Sequence, residues 1–299
     1  MSAGASLRLA LPKGRMQDAV VRLLADAGID LRSGARGYRP TLSLPGFETK
    51  VLKPQNIVEM LHLGSRDVGF AGADWVRELK ADLVELLDTG MDPVSVVVAA
   101  PERLVKLIGE AGTPRTPWNK ACGRNPIVAS EYESLAREWM AEKLPEGVFI
   151  RSYGATEVFP PEDADIIIDN CATGSTLKAN GLVIMETVMK SSTRLYASRQ
   201  AMENPAKKEA AEALVLILRS VMEARRRVML EMNVEESKLE NLIAILPCLR
   251  SPTLSPLEGG KAYAVRVAAP KDQLAALIPE IKRRGGTDIL VIQLGQLVP

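Results

Sequence analysis

Histidine is nearly absent from this 299-residue sequence, occurring once at His62, and cysteine occurs three times, at Cys122, Cys171 and Cys248. One histidine leaves multi-histidine metal sites and Ser-His-Asp chemistry with little support. His62 itself lies among Val58, Met60 and Leu61 in a helical segment and reads as structural. Three distant cysteines without a CxxC argue against a disulfide framework or a zinc site and fit a reducing cytoplasm. Aromatic residues make up only 4%, and the dispersed Trp75, Trp118 and Trp139 suggest packing rather than a base-stacking platform. An excess of one charge is also missing: 38 Lys and Arg face 37 Asp and Glu, a net +1. No global field attracts nucleic acid or an anionic membrane, so any anionic ligand must be held by local chemistry. No apolar run approaches the roughly 18 residues of a membrane span. The first such run ends at Lys13 and Arg15, too short for a signal peptide. The expectation is a cytoplasmic chain with neither nucleic-acid nor membrane partners.

What is present is an ordinary globular composition, 46% hydrophobic and 25% charged, at a length that suggests two or three domains. Strand-like segments alternate with amphipathic ones: Leu7 to Leu11 then Met16 to Ala27, Val68 to Ala71 then Asp74 to Lys80, Ile127 to Ala129 then Tyr132 to Lys143. This alternation predicts α/β domains on largely parallel sheets. Val94 to Ala100, enclosed by Pro93 and Pro101, reads as a strand buried on both faces. Glu102 to Arg124 reads as a surface connection, and Ala206 to about Arg227 as a long helix. The remainder, Val228 to Asn233, Glu235 to Leu246, Thr253 to Leu257, Ala262 to Val267, Gln273 to Arg284 and Asp288 to Gln293, spells βαββαβ, a ferredoxin-like arrangement. Gly285-Gly286 supplies the stop for its second helix.

The most informative stretch runs from Asp165 to Leu177. An apolar strand ends at Asp169, and a loop of small and hydroxyl residues, Ala172-Thr173-Gly174-Ser175-Thr176, opens a helix. Backbone N–H groups and hydroxyls can converge there on one phosphate. Asp169 is placed to accept hydrogen bonds from the hydroxyls of a sugar carrying that phosphate. Without the GKT of a P-loop or the spaced glycines of a dinucleotide site, neither of those readings is favoured. The bland alternative is a strand ending in a polar turn. Lys13-Gly14-Arg15 puts two cations at a strand-to-helix turn, where α/β sheets bind ligands. That turn and the basic cluster Arg36-Gly37-Tyr38-Arg39-Pro40 could equally be solvated loops.

The DxxxTGxT pattern resembles the phosphoribosyl-diphosphate loop of phosphoribosyltransferases. The wider set is more specific: Leu9-Ala-Leu-Pro-Lys13-Gly14-Arg15; Arg36-Gly-Tyr-Arg-Pro40; Leu52-Lys-Pro-Gln-Asn-Ile57; Gly69-Phe-Ala-Gly-Ala-Asp74-Trp75; Gly154-Ala-Thr-Glu157; Asp169 to Thr176 with Lys178-Ala-Asn-Gly-Leu182; and Ser251-Pro-Thr253. In identity and order these resemble the motifs of ATP phosphoribosyltransferase, the first enzyme of histidine biosynthesis, in its long form. The resemblance implies transfer of the phosphoribosyl group of 5-phosphoribosyl 1-diphosphate to N1 of ATP, with release of diphosphate, dependence on Mg²⁺ and feedback inhibition by L-histidine. It implies two periplasmic-binding-protein-like α/β domains around a cleft, a type IV-like phosphoribosyltransferase architecture, plus the ferredoxin-like domain as regulator, in homodimers and homohexamers. The expected division is 1–93 with 183–226 as catalytic domain I, 94–182 as catalytic domain II and 227–299 as the histidine-binding domain.

Carried over residue by residue, the resemblance gives Ala172, Thr173, Gly174, Ser175 and Thr176 the 5-phosphate and Asp169 the ribose hydroxyls. Lys13, Gly14, Arg15 and Asp74 fall at the nucleotide, with Lys13, Arg15, Glu157 and Asp169 as the catalytic set. Ser251 and Thr253 fall at the effector site. Mg²⁺ would be held mainly through substrate phosphates, with no protein ligand assigned. The chain departs from the family at Asn170-Cys171-Ala172, in place of an apolar pair and a small residue, and at Gln55, where an acid is usual. No base is placed beside Cys171, so it is not read as a nucleophile. Two other readings compete: a type I-like phosphoribosyltransferase for another base, against which the Lys13-Gly14-Arg15 and Gly69 to Asp74 segments speak, and a non-catalytic sensor with a similar cleft.

Overall fold

The computed structural model describes residues 6–32, 37–109 and 117–298, so Arg36 of the second basic cluster lies outside the described residues. The chain forms two compact units, one of residues 1–21 and 31–211, the other of 22–30 and 212–299.

The first unit is built on an eight-stranded sheet. Its strands are β1 (Leu7–Pro12), β4 (Phe47–Leu52), β5 (Val68–Gly72), β6 (Leu83–Pro101), β7 (Ile127–Ser130), β8 (Val148–Arg151), β9 (Ile166–Cys171) and β10 (Leu182–Ser198), in the spatial order β4-β1-β5-β10-β6-β9-β7-β8. A separate ribbon pairs β2 (Leu31–Arg32) with β3 (Thr41–Leu42). Its helices are α1 (Gln17–Asp26, which runs on into the second unit), α2 (Pro54–His62), α3 (Ala73–Glu78), α4 (Glu102–Ile108), α5 (Trp118–Cys122), α6 (Glu133–Lys143), α7 (Ser175–Ala179) and α8 (Arg199–Glu203).

The expectation of a largely parallel sheet holds only at the two flanks, where β4-β1-β5 and β9-β7-β8 run parallel. The centre is antiparallel: β10 pairs with β5 and with β6, and β6 with β9. The long strands β6 and β10 pair from Leu83↔Ser198 to Pro101↔Leu182, with several register shifts. One end of this spine takes β5 beside Thr193–Ala197, and the other takes β9 beside Ser95–Ala99. The sheet thus has two flanks joined by only two strands.

Burial follows the period-2 pattern of strands. Val96, Val98 and Ala100 pack with Ile166, Ile168 and the inner face of α6, Leu135, Ala136, Trp139 and Met140. Their neighbours Val97, Ala99 and Ile167 pack on the other face with Leu177 and Leu182. A strand covered on both sides is apolar at successive positions, which is why Val96 to Ala100, after the half-buried Ser95, has no alternation. Glu102 to Arg124 contains helices α4 and α5 in place of the expected plain connection; Leu104 and Val105 pack against the α6 side of the core, and Lys106 pairs with Glu102 one turn back. His62 is structural: its Nδ1 accepts the Asp82 backbone N–H at 3.2 Å.

Helix α9 (Pro205–Arg226) passes from the first unit into the second, whose sheet contains β11 (Arg227–Glu235), β12 (Thr253–Pro256), β13 (Ala262–Pro270) and β14 (Thr287–Gln293) in the order β12-β13-β11-β14. With α10 (Leu239–Ile243) and α11 (Leu274–Arg283) this is the expected ferredoxin-like βαββαβ. β11 alternates strictly, burying Val228, Leu230, Met232 and Val234 against Leu242, Leu277 and Ile281. The helix expected over Glu235 to Leu246 is shorter: a 3₁₀ turn at Glu236–Lys238 leads into the five-residue α10. Gly285 ends α11 at φ 89°, and the Gly286 N–H donates back to the Ile281 carbonyl at 2.9 Å. In α9, Leu214 and Leu218 are buried while Leu216 is exposed, so only the first two belong to the core.

Candidate active site

Two neighbouring cavities lie at the carboxyl ends of strands in the first unit, and they share Arg15 and Asn170. The first, about 210 Å³, is bordered by Lys13 and Arg15 after β1, Asp74 and Trp75 after β5, Glu131 and Tyr132 after β7, and Ser191–Thr193 of β10. The turn that carries the cations is sharp: Gly14 sits at φ 87°, a conformation glycine adopts without the Cβ clash of other residues. Lys13 is tied to β4 by its backbone N–H on the Leu52 carbonyl, 2.8 Å, while its ammonium lies 5.4 Å from the Tyr38 ring centroid.

Asp74 is buried, and both of its carboxylate oxygens are engaged. Oδ1 accepts the Ser191 hydroxyl and Oδ2 the Tyr132 hydroxyl, each at 2.7 Å. Gly72 makes room for this arrangement, because a Cβ there would stand 2.1 Å from Asp74 Oδ1. The Asp74 carboxylate therefore shapes the cavity wall through Tyr132. Burial, followed by the Asp74 charge, pushes the Tyr132 phenol far above its ordinary range, so it remains a donor. Asn170 Nδ2 donates in turn to the Tyr132 oxygen at 3.2 Å. Trp75 stacks on Tyr132 with centroids 4.7 Å apart, which places one of the dispersed tryptophans in the cavity wall rather than in packing alone.

The second cavity, about 290 Å³, is the predicted phosphate loop. Asp169, Cys171, Ala172, Thr173, Gly174 and Thr176 border it, together with Glu157 and Arg15. β9 delivers Asp169 at its end, and Gly174, at φ 77°, turns the chain into α7. The Thr173 and Ser175 hydroxyls are hydrogen-bonded to each other at 2.9 Å, and Ser175 is the one predicted loop residue that does not border the cavity. Glu157 stands on a 3₁₀ turn, Thr156–Val158, reached through Ala155 in the left-handed region at φ 49°. Burial pushes the Asp169 carboxyl up to about 6; hydrogen bonds from Asn170 N–H and the Thr156 side chain oppose this, and the charges of Glu131 and Glu157 add to it.

The cavities thus bring together Lys13, Arg15, Asp74, Glu157, Asp169 and most of the loop. Ser251 and Thr253 lie in the second unit, exposed, with Thr253 opening the edge strand β12. Sequence reasoning missed Glu131, Tyr132 and Ser191 as site residues. The carboxyl end of β7 was a usable signal for the first two, whereas Ser191 lies within β10 and carried none.

A family model described as ATP phosphoribosyltransferase matches residues 53–220, and one for the HisG C-terminal domain matches 224–296. This chain belongs to the ATP phosphoribosyltransferase family. Among its relatives, the ATP phosphoribosyltransferase of Pelotomaculum thermopropionicum is 34% identical, with 98% of this chain and 99% of the relative covered. That of Chlorobium luteolum is 35% identical, at 98% and 97% coverage. A solved ATP phosphoribosyltransferase HisG:HisZ complex from Thermotoga maritima superposes with a TM-score of 0.61 at 22% identity, covering 73% of this chain and 98% of that one, which establishes likeness of fold. The chain is thus an enzyme of histidine biosynthesis, a pentosyl transferase, with an α/β fold and the long form's terminal domain. Among its described residues no helix is long and apolar enough to cross a membrane.

Proposed function

We propose that the cavity at Lys13 and Arg15 receives ATP, the cavity at the Asp169–Thr176 loop receives phosphoribosyl diphosphate, and Arg15 spans the two at the point of reaction. The observation that carries this reading is that Arg15 and Asn170 border both cavities, so a nucleophile held in one faces a sugar held in the other. Ala172 to Thr176 hold the 5-phosphate through N–H groups and hydroxyls, with Ser175 steering Thr173. Ionised Asp169 accepts the ribose hydroxyls. Attack of adenine N1 on the anomeric carbon breaks the bond to diphosphate; positive charge develops on the sugar and negative charge on the leaving group. Lys13, held at the Gly14 turn, and Arg15 stabilise the latter, and Glu157 and Asp169 the former. Asp74 acts by holding Tyr132 and Ser191.

Mg²⁺ would be held mainly through the substrate phosphates, with the Glu157 and Asp169 carboxylates of the second cavity as hard oxygen donors beside it, and would supply charge neutralisation there. In this reading residues 1–93 with 183–226 and residues 94–182 are the two catalytic domains, and 227–299 bind L-histidine at Ser251 and Thr253 for feedback inhibition. The enzyme works in the cytoplasm as homodimers and homohexamers. Diphosphate release from ATP, phosphoribosyl diphosphate and Mg²⁺, with pyrophosphatase to pull the equilibrium, tests the reading. Turnover suppressed by histidine is expected. A folded sample without turnover overturns it in favour of a sensor.

A further inference from the structure

Glu131 has no role so far beyond raising the Asp169 carboxyl. It stands in the two residues between the end of β7 and the start of α6, half-buried, and borders the first cavity along with the cations of the β1 turn. Every other carboxylate on that cavity has a protein donor. Asp74 takes Ser191 and Tyr132, and Asp92 takes the Thr193 hydroxyl at 3.0 Å. Among the described residues the Glu131 carboxylate takes no hydrogen bond and no ion pair. A carboxylate facing a ligand cavity without a protein donor is free to take one from the ligand.

Resting on the assignment of this cavity to ATP, we propose that Glu131 accepts a hydrogen bond from the exocyclic 6-amino group of the purine and is the residue that selects a 6-amino over a 6-oxo base. The half-buried Trp75 ring, backed by the buried Tyr132, offers a flat wall for the base, and Glu131 borders the same cavity as that ring. The chemistry of the step gives the contact a second use. When the N1 lone pair forms the bond to the anomeric carbon, the C–O bond to diphosphate breaks and its electron pair leaves with diphosphate. The positive charge left on the purine is shared between N1 and the 6-amino nitrogen, as in an amidinium. Both protons stay on that nitrogen and become stronger donors. A carboxylate there binds the transition state more tightly than ground-state ATP, and this differential raises kcat. A 6-oxo base would instead present an acceptor to the carboxylate, and a site built to take a donor rejects such a base strongly.

The test compares wild type with Glu131→Gln, measuring kinetic constants for ATP and phosphoribosyl diphosphate and competitive inhibition against ATP by inosine triphosphate. The amide can accept from a 6-amino group or donate to a 6-oxo group. The expected result is a fall of about tenfold or more in kcat/KM for ATP, tighter inhibition by inosine triphosphate and an unchanged KM for phosphoribosyl diphosphate. Glu131→Asp keeps the charge one methylene short, so it should turn over more slowly yet still exclude the 6-oxo nucleotide. A preserved preference for ATP over inosine triphosphate in Glu131→Gln, or its loss in Glu131→Asp, overturns the proposal while leaving the ATP site intact. A raised KM for phosphoribosyl diphosphate alone moves Glu131 to the sugar and also overturns it. Wild-type turnover that ATP analogues do not inhibit competitively would remove the cavity assignment itself.

Discussion

Acidification should disable substrate binding through one residue. The Asp169 carboxyl titrates at about 6, because burial raises it and Glu131 and Glu157 add negative charge nearby. Only the ionised form accepts hydrogen bonds from both ribose hydroxyls, so in the free enzyme kcat/KM for phosphoribosyl diphosphate should fall as pH drops through 6. One pH unit below the midpoint leaves about a tenth of the carboxylate ionised, a loss of about tenfold between pH 7.5 and pH 5. Asp169→Asn removes the charge at every pH. Hydrogen bonds to a charged group contribute about 1.5 to 3 kcal/mol, so the variant should lose roughly ten- to a hundredfold at pH 7.5. Substrate phosphates also titrate near 6, and their limb will be present in both proteins. The diagnostic is the difference between the profiles, measured as initial rates of diphosphate release at low phosphoribosyl diphosphate: the wild-type profile steepens below 6 and that of the variant does not. Glu157→Gln removes a like charge and should shift the wild-type limb to lower pH. Identical acid limbs in wild type and Asp169→Asn would refute the role of Asp169.

Other consequences follow from the packing. Burial alone would raise Asp67, but hydrogen bonds from Arg8 and Lys207 pull it down to about 2. Its share of stability, about 2 kcal/mol, should be complete above pH 4 and lost as pH falls through 2, as urea unfolding against pH will read. Asp67→Asn, which strands two cations on a nearly fully buried partner, should cost about 3 to 5 kcal/mol at pH 7 in the same assay, and a loss below 1 kcal/mol would contradict this. Gly72→Ala drives a methyl group into the Asp74 carboxylate and should cost about 1 to 3 kcal/mol by chemical unfolding and also lower kcat; wild-type stability would show that Asp74 moves freely. Removing residues 228–299 should abolish inhibition by histidine in the diphosphate assay, and inhibition that survives puts the effector elsewhere.

What the sequence disclosed is what short-range physics controls. β11 buries every second residue against two helices, so its alternation reads directly as an exposed-face, buried-face strand. Asp169 and the loop after it sit within a few residues of one strand end, and their chemistry is continuous in the chain. The run Val94 to Ala100 disclosed that both faces are covered, but face burial carries no information about strand direction. Its partners β9 and β10, the latter 83 to 97 residues away at that pairing, decide direction, and the antiparallel centre of the sheet was accordingly missed. The same limit applies to the site. Tyr132 is 58 residues from Asp74 and Ser191 is 117, yet the three form one hydrogen-bonded group that sets the cavity wall. Motif resemblance marked Asp74 as a nucleotide residue because its segment is distinctive, while the structure gives both its oxygens protein donors. Glu131, with no motif around it, is left facing the cavity. Local pattern identifies where strands end and ligands bind, and the long-range closure of the sheet determines which of the acids there remain free to act.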